Sequence, residues 1–398
     1  MEVLFQTLSR RLREMWRPAK SPRASRSFRC RCGRPVFFRN SECLACGTPL
    51  GYLPGRLTLV PLQPAGDDVG HWQVWDEPDG PPLKRCANFG LAACNWMLEA
   101  GDAATFCVSC RLNRVIPDLS IDENRLAWER IENAKRRLVS QLLALGLPVV
   151  SRVAGAGGED PERGLAFDFL RATPEQPTIT GHDSGIVTLN IEEADDATRE
   201  RIRTQLREPY RTLLGHVRHE VGHYYWDRLV DATPWLEPFR ALFGDERADY
   251  AEALRHHYEQ GTPLDWSQRH VSAYAAAHPW EDWAETWAHY LHMVDTVETA
   301  MSFGLDAEAL EVDTEPFGTD VLEVHGTDPG AADFLAFVNA WVEITALLNE
   351  MSRSMGIHDF YPFVLSRAAV RKLYFVHQVI EGARASESEG TAASALAA

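Results

Sequence analysis

Beyond Cys110 this 398-residue chain has no cysteine, so disulfides cannot stabilise most of it. Nor does it need them, since a chain of this length buries a large core and its apolar fraction of 45% is that of a globular protein. Uninterrupted apolar runs are missing as well. None approaches the ~20 residues needed to cross a bilayer, and the apolar stretch at residues 3–8 is too short for a secretory leader. We therefore expect a soluble, cytoplasmic protein with no membrane contact. Acid is scarce only at the start. Residues 1–120 hold 16 Lys/Arg against 11 Asp/Glu, whereas the remainder holds 24 against 46, within a net charge of −17. A polyanion is repelled by the larger part, so nucleic acid is expected only at the basic N-terminal part.

The eight cysteines that are present fall between Cys30 and Cys110 in two groups of four, each ending in Cys-x-x-Cys. The first is Cys30, Cys32, Cys43 and Cys46; the second is Cys86, Cys94, Cys107 and Cys110. Clustered thiols of this spacing indicate metal binding in a reducing compartment. Cys43-Leu-Ala-Cys46-Gly47 suits a zinc knuckle, in which the trailing glycine permits the tight turn. Cys30-x-Cys32 is one residue short of the usual pair, and pairing between the quartets is open on spacing alone. Two structural Cys₄ zinc sites are the economical reading, because four thiolates leave no open coordination position.

Around these groups the chain divides into a basic arm at 1–29, a Gly/Pro-rich cysteine region at 30–117, a larger domain at 120–380 and an Ala/Ser/Glu/Gly-rich tail at 381–398, expected to be disordered. Ser120-Ile-Asp-Glu123 has capping-box spacing and predicts a helix to about residue 145. Strand-like segments follow at 149–153, 164–170 and 185–191, then helices from about Asp195. Strands followed by helices indicate an α+β domain.

The chemistry concentrates in His219-Glu220-Val-Gly-His223. Positions four apart on a helix lie within 40° of one another, so both imidazoles leave one face. That geometry suits two nitrogen ligands of one tetrahedral zinc, while Glu220 points aside and can act as general base on a water. Flanking Leu213, Leu214, Val217, Tyr224, Tyr225 and Trp226 mark the helix as buried. A third ligand is sought in the segment from His278 to His292, where Glu281 and Glu285 share a helix face behind Pro279. Trp283, Trp287 and Leu291 turn that helix inward, and a buried carboxylate needs a partner such as zinc.

A helix bearing His219-Glu-Val-Gly-His223 followed by one bearing Glu-x-x-Ala-Glu resembles the glutamate-zincin peptidases of the thermolysin and anthrax lethal factor types. The resemblance implies that Glu281 binds zinc and that Glu285 supports a neighbouring histidine, with Glu285 as the alternative ligand. It also implies a tyrosine near the metal, placed at Tyr274, that stabilises an oxyanion. The strand at 186–191 would be an edge strand that pairs with extended substrate. Together with Cys43-Leu-Ala-Cys46-Gly-Thr-Pro-Leu-Gly-Tyr52 and Cys107-Val-Ser-Cys110-Arg-Leu-Asn-Arg, these stretches resemble the bacterial zinc-binding metallopeptidase family with an N-terminal zinc ribbon. The expected fold is thus an α+β protein: a small metal-organised β domain, then a mostly helical zincin-like domain with a small sheet. The expected activity is zinc-dependent hydrolysis of a peptide or protein substrate, with one catalytic and two structural zinc ions. The competing expectation is a nucleic-acid- or protein-binding ribbon module carried on a catalytically silent scaffold.

Overall fold

The computed structural model describes residues 26–66, 70–155, 158–173, 178, 180–206, 208–305, 310, 312, 314–323 and 329–397. The basic arm up to residue 25 lies outside them. Two compact units emerge, residues 22–220 and residues 221–398, and the division falls inside a single helix between Glu220 and Val221.

The first unit opens with a two-stranded ladder, β1 (Phe28–Arg29) and β2 (Pro35–Val36), which closes the first cysteine turn. A five-stranded antiparallel sheet follows in chain order: β3 (Leu50–Leu53), β4 (Thr58–Pro64), β5 (His71–Val74), β6 (Leu83–Arg85) and β7 (Met97–Glu99). Leu53, Leu62, Val74, Leu83 and Met97 form its core. A four-residue helix, α1 (Phe89–Ala92), links into the second cysteine group. Helix α2 (Asp122–Ala144) buries Trp128, Ile131, Leu138, Val139 and Leu142. Its Ser140 hydroxyl meets the Tyr52 hydroxyl of β3 at 2.7 Å, a buried bond that fixes the helix against the ribbon sheet.

Helix α2 begins one residue later than the capping box requires. Ile121 occupies the cap position without a side-chain bond, while Ser120 donates through its amide and hydroxyl to Asp118. The aspartate two residues upstream offers a closer acceptor, so the serine joins a turn instead of a cap.

The second sheet of this unit has the order β10 (Gly181–Asp183), β11 (Ile186–Asn190), β9 (Ala166–Leu170), β8 (Asn113–Val115). Strand β8 belongs by sequence to the cysteine region yet pairs with β9, so the expected boundary near residue 118 does not separate the sheets. The expected strand at 149–153 is reduced to a single bridge between Ser151 and Leu165. Strand β11 is not an edge: it pairs antiparallel with β10 and parallel with β9, so its ladder is already taken. Three-residue β10 was too short to be read from periodicity, and it covers the side expected to receive substrate. Helix α3 (Asp196–Leu206) and the start of α4 (Leu213–Leu229) complete the unit.

The second unit is helical among the described residues. After α4 come α5 (Leu236–Phe243), α6 (Tyr250–Gln260), α7 (Trp266–Arg269), α8 (Pro279–Ser302), α9 (Pro329–Ser354) and α10 (Arg367–Ala397). Trp283, Trp287, Tyr290 and Leu291 of α8 are buried at its centre, with Phe334 and Trp341 of α9. Helix α9 departs from the expectation of no spanning segment: residues 330–354 are long and apolar enough, by length and composition alone, to cross a bilayer. Asp333, Asn339, Glu343 and Asn349 interrupt the apolar residues, which is why no continuous run is visible. Phe334 packs on Tyr374 and Trp341 on Tyr361, as in a core helix. Helix α10 continues to Ala397, where disorder was expected from residue 381; alanine and glutamate in this stretch are strong helix formers.

Candidate metal centres and active site

Local backbone geometry builds the first cysteine centre. Gly33 and Gly47 follow Cys32 and Cys46 with φ of +81° and +67°, the left-handed conformation that folds each turn back on its thiols. The amide of Gly33 donates to Cys30 O and that of Gly47 to Cys43 O, both at 2.8 Å. Cys30 Sγ lies 3.6 Å from Cys46 Sγ and Cys32 Sγ 3.8 Å from Cys43 Sγ. A tetrahedron with Zn–S bonds of ~2.3 Å has edges of about 3.8 Å, so the thiols are already spaced for one ion. The one-residue spacer does not remove Cys30 from the set. Hydrogen bonds from the hydroxyl and backbone of Thr48 lower the exposed Cys46 thiol to about 6, favouring the thiolate a metal requires.

The second quartet is buried throughout. Cys94 Sγ lies 3.7 Å from the sulfurs of both Cys107 and Cys110, and the Cys107 amide points at Cys86 Sγ at 3.3 Å. The two quartets therefore form separate groups with no interleaving. Four thiolates and one Zn²⁺ carry a net charge of −2, which a buried site must balance. Burial opposes the charge of Arg136 on α2, but the neighbouring Cys94, Glu132 and Cys110 hold it protonated. Glu132 in turn pairs with Lys135 at 2.7 Å.

The third group joins His219, His223 and Glu281, one ligand atom from each lying within 4.8 Å of the others. The two histidines leave α4 one turn apart, as their spacing requires. His223 Nε2 approaches Glu281 Oε1 at 3.6 Å, close to the edge of a tetrahedron with bonds of ~2.0–2.2 Å. All three residues are buried. Trp280 packs on the His223 ring at 4.1 Å between centroids. Helix α8 presents Glu281 from its first turn: His278 caps it by accepting from the Trp280 amide at 3.1 Å, and Pro279 occupies the first helical position. Nδ1 of His278 is thus an acceptor, so Nε2 carries the proton that faces Ala248 O at 3.1 Å.

Close packing sets the spacing of these helices. Trp283 Nε1 donates to Gly222 O at 2.8 Å. A Cβ at Gly222 would lie 3.1 Å from both Ala284 Cα and Trp287 Cδ1. The glycine of the motif is therefore a contact point between backbones.

Glu285 is not in the ligand group; it accepts from Ser272 Oγ at 2.5 Å. Tyr274 stands in a 3-10 turn, Tyr274–Ala276, with its ring edge-on to His257 at 5.9 Å. Tyr250 reaches the centre: its hydroxyl donates to Glu281 Oε1 at 2.6 Å. The sequence signal for it was slight: Asp249 caps α6 through the Glu252 amide, marking a helix start but not the direction of its first side chain. Apart from that contact α6 buries no residue, consistent with a solvated insertion.

Glu220 is 5% exposed and projects from the helix that carries both histidines. His216, one turn earlier, places Nε2 3.5 Å from Glu220 Oε1 and Nδ1 2.9 Å from Glu193 Oε2. Neither His216 nor Glu193 was singled out from the sequence.

Comparison with known proteins fits this arrangement. Residues 124–379 match the model of the family described as "putative zinc-binding metallo-peptidase". The chain belongs to this family. A second model, a zinc-ribbon domain, matches residues 27–121. Uncharacterized proteins of Mycobacterium tuberculosis (strain ATCC 25618 / H37Rv) and Mycobacterium bovis are each 40% identical over 358 residues, covering 89% of this chain and 95% of theirs. No solved structure matches. Zinc binding by the family accords with the cysteine groups.

Proposed function

We propose that the protein is a zinc metallopeptidase that hydrolyses peptide bonds in a peptide or protein substrate. The observation that carries this reading is the convergence of His219, His223 and Glu281, with the carboxylate of Glu220 on the same helix. His219, His223 and Glu281 would hold the catalytic ion, and each cysteine quartet a structural one. When bound there, zinc would supply Lewis acidity, lowering the pKa of a water towards ~7 and polarising a substrate carbonyl. Glu220 would accept the water proton on a carboxylate oxygen as the water oxygen bonds to the carbonyl carbon, and return it to the leaving amine nitrogen as the C–N bond breaks. Tyr250, hydrogen-bonded to Glu281, orients the ligand carboxylate. We assign the protein to a reducing compartment such as the cytoplasm, where thiol clusters of this kind persist.

The ribbon would recruit or position substrate rather than read nucleic acid. Arg31 lies over the Trp75 ring at 3.8 Å, and Arg85 covers Trp72 and Phe89 at 4.8 and 4.1 Å. One face of each of these rings is covered by the chain's own guanidinium groups, which reduces the aromatic surface open to base stacking.

The test is removal and return of metal. A strong chelator should abolish turnover of a mixed peptide library, and stoichiometric zinc should restore it. Turnover that survives complete removal of zinc overturns the proposal.

A further inference from the structure

The helix that carries the metal ligands also carries His216, and its surroundings assign it a role. Its imidazole sits between two carboxylates: Nδ1 is 2.9 Å from Glu193 Oε2 and Nε2 is 3.5 Å from Glu220 Oε1. Glu193 lies in the 3-10 turn Ile191–Ala194 that follows β11, and it is 6% exposed. Three donors fix it: Thr180 Oγ1 at 2.7 Å, Arg211 Nη2 at 3.0 Å and His216. Burial alone would push its carboxyl up, but His216, Arg211 and Thr180 hold it down at about 2. Glu193 is accordingly an anion that only accepts, so Nδ1 of His216 carries a proton and the ring has one orientation. Nε2 then faces Glu220 Oε1 at 3.5 Å, and it is as an imidazolium, with a proton on each ring nitrogen, that His216 can hold that carboxylate. The helical spacing of four makes residues 216 and 220 neighbours on one face.

We propose that His216 is a positioning residue, locked by Glu193, that aims the Glu220 carboxylate at the substrate water. The inference rests on the peptidase reading and extends it to the support of the base. A general base works only within hydrogen-bond reach of its proton. A glutamate has three rotatable bonds, and a misplacement of about 1 Å can cost on the order of 10²-fold in rate. A half-buried imidazole fixed by a turn outside the helix removes that freedom. The ordinary alternative, that His216 only satisfies Glu193, predicts loss of stability without an effect specific to the base.

The test uses the full-length, zinc-loaded protein with His216→Ala, His216→Gln and Glu193→Gln, reading zinc content, thermal midpoint, kcat and KM on a peptide substrate. Each variant should keep the wild-type zinc content. His216→Ala should lower kcat about 10- to 100-fold with KM within about twofold of wild type. His216→Gln, which can present an amide donor near the Nε2 position, should recover a large part of that loss. Zinc-loaded crystal structures of wild type and His216→Ala should show the Glu220 carboxylate turned away only in the variant. An unchanged kcat in a folded, fully loaded His216→Ala overturns the proposal, as does an unmoved Glu220. If wild type has no peptidase turnover, the functional reading fails, and the position of Glu220 still decides the role of His216. Should His216→Ala not fold, the same comparisons are made on His216→Gln and Glu193→Gln. Wild-type kcat and an unmoved Glu220 in both overturn the proposal.

Discussion

Replacing Gly222 tests whether backbone contact sets the geometry of the catalytic ligands. In an exposed helix Gly→Ala gains about 1 kcal/mol from propensity. Here the new methyl would lie 3.1 Å from Ala284 Cα, 3.1 Å from Trp287 Cδ1 and 3.3 Å from Trp287 Cγ. Unstrained carbon contacts lie at ~3.5–4.0 Å, and overpacking of this kind costs about 1–3 kcal/mol. Gly222→Ala should therefore be destabilised by about 0–2 kcal/mol net. Gly222→Val adds two more methyl groups and a β-branch, and should lose about 3 kcal/mol or more. The strain falls beside His223, so its 3.6 Å approach to Glu281 widens and the valine variant should bind about one zinc fewer per chain. Urea unfolding gives the first quantity and metal analysis of dialysed protein the second. A Gly222→Ala protein about 1 kcal/mol more stable than wild type, with Gly222→Val fully loaded, would refute the argument.

Further substitutions separate the other contributions. Tyr250→Phe should weaken zinc binding at the catalytic centre about 10- to 100-fold, whereas Tyr274→Phe should leave it unchanged, as read by competition with a chromogenic chelator. Cys43→Ser and Cys110→Ser should each lose one zinc and cost about 4 kcal/mol or more; retention of all zinc by either would remove that thiol from its site. Glu193 has a folded-state carboxyl held at about 2, below its ordinary 4.5, so its stabilisation is complete above pH 4.5 and disappears as pH falls through about 2. At pH 7 Glu193→Gln should be about 2–3 kcal/mol less stable than wild type, and the gap should close in acid. A constant gap in pH-dependent denaturation would show that the charge contributes nothing.

The candidate metal ligands were legible because their chemistry fixes their spacing. Histidines four apart must share a helix face, and quartets of thiols imply tetrahedral sites wherever the intervening strands run. Glu281 was found through the glutamate-zincin resemblance, since spacing alone left Glu285 equivalent. What the sequence concealed depends on tertiary direction. Tyr250 is one of ten tyrosines, and nothing local says that the first residue of α6 turns toward Glu281. His216 and Glu193 are brought together by the turn after β11. The placement of β11 between two partners was hidden because β8 and β10 are three residues each, below the length at which alternation can be read. Ser120 failed as a cap because Asp118 competes for it.

The central claim is that Glu220 moves the proton while His219, His223 and Glu281 hold the metal. The direct measurement compares wild type with Glu220→Gln for zinc per chain and turnover of a mixed peptide library. The account predicts about three zinc in both proteins and a loss of turnover of at least ~10²-fold in the variant alone. Equal turnover in two equally loaded proteins would contradict it.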